Sequence, residues 1–113
     1  FTLKNEEDMH AFTSIIGSGQ AYLFEALRIY LMELEKIASD NSDIKQIFKN
    51  FVTGLGDAFS NEPDFETLIN KIKSPGGTTQ AGLESLEKND LERVFKEAFR
   101  AAKNRSIEIS NEQ

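Results

Sequence analysis

Apolar side chains return every three or four positions along most of this chain. Ile44, Ile47, Phe48, Phe51, Val52, Leu55 and Phe59 fall on one face of a helix. Ser42, just before them, is a good N-cap residue. Leu91, Val94, Phe95, Ala98, Phe99 and Ala102 repeat the pattern behind Asp90, a second candidate cap. A shorter helix is predicted from Asp64 to Ile72, with Pro63 in its first turn. Met9, Phe12 and Ile16 begin another pattern, and Ala81, Leu83 and Leu86 mark one more. No segment alternates as a strand should; the tail Ser106–Ser110 is the one strand candidate. The expected fold class is all-α, a bundle of about five or six helices forming one domain over residues 1–113.

One helix departs from this amphipathic plan. Ala21 to Met32 reads AYLFEALRIYLM, and only Glu25 and Arg28 carry charge. A surface helix of a small domain should show one apolar stripe and one polar face. This one is apolar almost all round. Two readings cover it. Either a second copy of the chain lies against it, giving an intimate homodimer, or it is a central helix wrapped by its own neighbours. The small number of other helices favours the homodimer. Gly54 and Gly56, inside the helix that begins near Ile44, suggest close helix packing.

Composition narrows the field. With 113 residues, 39% hydrophobic and 28% charged, the chain can build one modest core. Its net charge of −6, with no dominant Lys/Arg patch, argues against nucleic acid as a partner. The absence of cysteine excludes disulfides and thiolate metal sites and is compatible with a reducing cytosol. The apolar runs are too short and interrupted to span a bilayer, so no membrane partner is expected. No signal peptide is visible. The chain starts at Phe1, not Met, and is expected to be a piece of something longer.

Two glycine-bearing stretches punctuate the helices. The first is SPGGTT, Ser74 to Thr79. Pro75 fixes its own φ and pushes Ser74 toward extended backbone, so the preceding helix stops. Gly76 and Gly77 lack a Cβ and let another group approach the backbone. Thr78 and Thr79 then open the next helix, whose first N–H groups have no internal partner. Those groups and the helix dipole make a small anion site, to which Ser74 and Thr79 hydroxyls can add. A tight turn with a Thr N-cap explains the same residues, and the residues alone leave both readings open. The second stretch is GSGQAY, Gly17 to Tyr22. Its glycines break the preceding helical pattern, and Ser18 is a fair N-cap for the apolar helix. It is not a dinucleotide fingerprint, because no strand precedes it and the third glycine is missing.

The remaining polar residues read as ordinary. His10, the only histidine, is expected to be solvated near a helix start. Glu6, Glu7 and Asp8 complement a helix dipole rather than bind a metal. Glu33, Glu35 and Lys36 read as a solvated face. The nine phenylalanines are core or interface.

Taken together, SPGGTTQAGLESLE at Ser74–Glu87 and MHAFTSIIGSGQAYLFEAL at Met9–Leu27 resemble the two marked segments of the pyrroline-5-carboxylate reductases. The tail AFRAAKNRSIEIS, Ala98–Ser110, resembles that family's closing helix. The resemblance covers nearly the whole chain but only the family's C-terminal domain. It implies an interleaved homodimer of helical domains, like the C-terminal domain of 6-phosphogluconate dehydrogenase, and an oligomer of such dimers is compatible with it. It implies a cytoplasmic enzyme that moves a hydride from NADPH or NADH to Δ1-pyrroline-5-carboxylate, giving proline. The cofactor would be held mainly by an N-terminal Rossmann domain absent from this chain, so no cofactor is expected in the fragment alone. By the same resemblance, Ser74 and Thr79 donate hydroxyls to the substrate carboxylate, and the Gly76–Gly77 region supplies backbone N–H beside Thr78. Thr13 is the implied catalytic partner of the imine nitrogen, and Ser18 an implied contact to the nicotinamide. No metal is implied. Three departures stand out: Gln20 replaces a usual proline, Ile16 a usual serine, and ASDNSD, after Ile37, a usual Gly-Leu-Pro-Arg turn. The alternative is a non-catalytic helical dimerisation module that kept the scaffold and lost the chemistry.

Overall fold

In the computed structural model, residues 2–40, 42–73 and 77–112 are described. Among them every regular element is helical. Helix α1 (Glu6–Phe12) runs without a break through a π-helical turn (Thr13–Ser18) into α2 (Gly19–Ile37). Then come α3 (Ile44–Asn61), α4 (Phe65–Lys73), α5 (Gly77–Lys88) and α6 (Leu91–Asn111). Counting Glu6–Ile37 as one rod gives five helices, within the expected range.

The chain divides into two compact units. One comprises Phe1–Ile29 with Asp90–Gln113, the other Tyr30–Asn89. In the first unit α1 and the π-helical turn pack on α6. Tyr22 meets Phe99 with ring centroids 5.9 Å apart, and Phe99 lies 6.3 Å from Phe95. In the second unit α3 packs on α4 and α4 on α5. Phe59 stacks on Phe65 at 4.5 Å, while Phe51 lies between Tyr30 at 6.1 Å and Phe48 at 5.7 Å. These rings meet in pairs, but none of the described phenylalanines is buried, so none forms a core within the chain.

Several local expectations are corrected. Helix α3 starts two residues after Ser42, with Asp43 at the cap position and no side-chain bond. The Ser42 N–H donates to the Asp40 carboxylate instead (2.9 Å), which keeps Ser42 outside the helix. Pro63 lies before α4 rather than in its first turn. Asp64 does the capping: its carboxylate accepts from the Thr67 N–H at 3.3 Å and from the Thr67 hydroxyl. Asp90 does precede α6, but in the left-handed region (φ 59°) and without a capping bond. The tail Ser106–Ser110 is helical, not extended. It continues a helix already long enough to propagate cheaply, and Arg105 pairs with Glu108 across one turn at 2.9 Å. Lys36 pairs with Glu33 (3.1 Å) on an exposed face, as expected.

The largest finding concerns burial. Among the described residues Ile44 is the only buried hydrophobic side chain. On α2, Leu23 and Phe24 are 61% and 65% exposed, and Ile29, Tyr30 and Met32 are exposed too. The chain's own helices do not wrap α2, so the central-helix reading fails. Gly54 and Gly56 meet nothing within 4 Å of where a Cβ would stand. The close packing expected there is absent within the chain.

Candidate functional site

The first stretch lies on one rod. Asn5 caps α1 by accepting from the Asp8 N–H (2.9 Å), and Glu6, Glu7 and Asp8 sit in the positive first turn. The run that follows, Thr13 to Ser18, is poor α-helix material: three β-branched residues and a glycine. There the backbone ladder widens to i→i+5. Gly19 then docks on α6, where a Cβ would lie 3.5 Å from Cε1 of Phe99. Thus Gly-Ser-Gly does not break the helix. Ser18 is not an N-cap, and no free helix N-terminus exists there. The glycine is wanted for contact with a ring, not for an unusual φ, since no described glycine has positive φ.

Two side chains bond to carbonyls of this rod. The buried Ser14 hydroxyl donates to the Ala11 carbonyl at 2.8 Å. The Gln20 amide donates to the Ile16 carbonyl at 2.9 Å. Thr13 and Ser18 are both exposed.

His10 is not solvated as expected. Its side chain is 17% exposed, and Nδ1 lies 2.6 Å from the Ser106 hydroxyl of α6. Nε2 lies 4.0 Å from the Glu6 carboxylate. Beside it Lys103 donates to Glu7 at 2.6 Å and holds that carboxyl below the usual carboxylate range, first through this hydrogen bond and then through its charge. An open cavity of about 270 Å³ is lined by Glu6, Glu7, His10, Ile107, Ser110 and Asn111. Among the described residues no cluster of three or more His, Asp or Glu side chains is arranged to hold a metal ion.

The second stretch is in the other unit. Gly77 opens α5, followed by Thr78 and Thr79. Thr78 is exposed and Thr79 half-buried. The position a Cβ would take at Gly77 is open, with nothing within 4 Å. The first N–H groups of this 12-residue helix have no partner within it and carry its positive end. Ser74, Pro75 and Gly76 lie outside the described residues. An apolar cavity of about 270 Å³, lined by Tyr30, Leu34, Ile47, Phe48 and Phe51, lies in this unit. No helix among the described residues is long and apolar enough to cross a membrane.

A helical rod with a widened turn, a helix opened by Gly-Thr-Thr and a helix with an uncovered apolar surface mark an all-α fold. The family is shown directly: residues 6–109 match the model of the pyrroline-5-carboxylate reductase dimerisation domain, and the chain belongs to that family. The pyrroline-5-carboxylate reductase of Staphylococcus saprophyticus is 35% identical over 108 residues, covering 95% of this chain and 40% of that protein. The Staphylococcus haemolyticus reductase is 33% identical over 110 residues. Among solved structures, a Coxiella burnetii pyrroline-5-carboxylate reductase matches with a TM-score of 0.81 at 26% identity, over 94% of this chain and 40% of its own. The NADP-bound pyrroline carboxylate reductase of Plasmodium falciparum matches with a TM-score of 0.76 at 29% identity, over 91% of this chain and 40% of its own. The chain thus spans about 40% of the length of these relatives.

Proposed function

We propose that this chain is the dimerisation and substrate-binding domain of a cytoplasmic pyrroline-5-carboxylate reductase, which reduces Δ1-pyrroline-5-carboxylate to L-proline with NADPH or NADH. The observation that carries the reading is the family match over residues 6–109. Two structural features support it. The apolar surface of α2 is left uncovered by its own chain, as a homodimer would require. The opening of α5 offers unpaired N–H groups, a threonine hydroxyl and an open approach at Gly77, which suit a carboxylate.

The cofactor supplies the hydride, and a dinucleotide-binding domain outside these residues supplies most of its site. This chain's contribution is position and charge. The segment Ser74–Thr79 takes the substrate carboxylate, with Ser74 and Thr79 donating hydroxyls and Gly76, Gly77 and Thr78 presenting backbone. Thr13 hydrogen-bonds the imine nitrogen, which gains a proton as the adjacent carbon gains hydride. Ser18 contacts the nicotinamide side.

The test is a chimera. The N-terminal portion of the Staphylococcus saprophyticus reductase is joined to this chain in place of its own C-terminal domain. Oxidation of NADPH that depends on Δ1-pyrroline-5-carboxylate is expected. In parallel, light scattering on the 113-residue chain should give a dimer mass or a multiple of it. NMR titration with proline should shift resonances at Ser74–Thr79. A dimer joined to an inactive chimera with no proline response would leave only a dimerisation scaffold. A stable monomer would overturn the assembly.

A further inference from the structure

We propose that Gln20 is a positioning residue: its amide, bonded to the Ile16 carbonyl, holds the widened turn that brings Thr13 and Ser18 to one side of the helix. The proposal rests on the reading of Thr13 and Ser18 as substrate- and cofactor-facing groups.

The geometry begins with the helical repeat. Residues five apart on an α-helix lie about 140° apart around the axis. Thr13 and Ser18 would then face different directions. Bonds of the i→i+5 kind close each turn over more residues and rotate Ser18 back toward the side of Thr13. Both side chains are exposed. A Cβ at Gly17 would stand in ordinary contact with the Thr13 methyl, at 3.8 Å.

A widened turn is not the default state of a helix. The ladder must change register on entering and on leaving it. At entry, the Ser14 hydroxyl bonds to the Ala11 carbonyl (2.8 Å); at exit, the Gln20 amide bonds to the Ile16 carbonyl (2.9 Å). An exposed glutamine ordinarily leaves its amide in water. Here it folds back along its own helix and gives up rotamer freedom to do so. Ser14 is buried, so its removal would disturb packing as well. Gln20 is exposed, so its bond can be removed alone.

Three substitutions separate the donor from the stem. Gln20→Met and Gln20→Glu lack a donor at neutral pH; Gln20→Lys keeps one. In the 113-residue chain, amide exchange followed by NMR should accelerate about tenfold at residues 17–21 in the first two, the effect of one lost hydrogen bond. It should stay near the parent rate in Gln20→Lys. In the chimeric reductase, kcat should fall about tenfold in Gln20→Met with KM changed less than about twofold, because the carboxylate segment is untouched. Gln20→Lys should recover most of kcat. Unchanged exchange in both donorless variants overturns the proposal whatever the kinetics. Altered exchange with unchanged kcat overturns the positioning role. If Gln20→Met fails to fold, Gln20→Glu against Gln20→Lys makes the same contrast. A chimera inactive even with Gln20 present would sink the reductase reading instead, and the clamp would stand or fall on exchange alone.

Discussion

The chain uses paired glycines twice, and to opposite ends. At Gly17–Gly19 they lie within an unbroken rod, and Gly19 is pressed against Phe99. Gly77, by contrast, opens a new helix and faces open space. The sequence signals look alike, since both place small residues beside a helix. What separates them is proline. Pro75 forbids continuation; between Ile16 and Tyr22 nothing does, and the helix absorbs its glycines by widening its ladder. A missing Cβ can serve intramolecular contact or leave room for a visitor, and the surroundings of each glycine decide which.

That contrast can be broken by substitution. Gly19→Leu should cost about 1–3 kcal/mol in urea unfolding, by forcing the Phe99 ring aside. Gly19→Ala should be neutral or stabilising by up to about 1 kcal/mol, because 3.5 Å is ordinary contact and alanine favours helix. Gly77→Leu should leave stability within about 0.5 kcal/mol yet abolish the response to proline. Next in size, Thr79→Val should weaken that response about tenfold, the loss of one hydrogen bond to a charged group, at about 1.5 kcal/mol. Ser106→Ala should cost about 1 kcal/mol by removing the hydroxyl that docks His10 on α6. A cost near zero would show that the rod is held to α6 without help from this bond.

The smallest effect concerns acid. The Glu7 carboxyl is depressed in the folded chain by Lys103. Its contribution is therefore present above the unfolded glutamate value, about 4.3, and is lost as pH falls through the lower folded value. Lys103→Met should flatten that part of the stability–pH curve, lowering stability slightly at pH 7 and leaving it unchanged once Glu7 is protonated.

How much of this was legible? The amphipathic helices α3 and α6 were, because a single stripe at three-and-four spacing admits one reading. The start of α5 was legible to within a residue: Thr78 and Thr79 were expected to open it, but Gly77 does, which puts both threonines inside the helix rather than at its cap. The uncovered stretch of α2 was visible in Ala21–Met32, where only Glu25 and Arg28 carry charge. The widened turn was not: pattern reading assumes a fixed period and treats glycine as a break, while a change of hydrogen-bond register leaves no residue signature of its own. His10 was misread because its partner Ser106 lies 96 residues away. The cap positions Asp43 and Asp64 were missed by one residue: Ser42 turns its N–H to Asp40, and Asp64 rather than Pro63 stands last before α4. The tail was misread because Ile107 and Ile109 alternate over too short a span to outweigh the helix leading into them.

The open flank of α2 also makes quantity of protein a physical variable. A chain with one buried hydrophobic side chain among its described residues stores little stability in itself. If a second copy supplies the rest, association and folding share one equilibrium, and Tm should climb as the chain is concentrated. Dilution would then act as a denaturant. A co-expressed excess of a chain competent in α2 but altered elsewhere would draw the normal copies into mixed pairs, a dominant effect from a change far from any substrate.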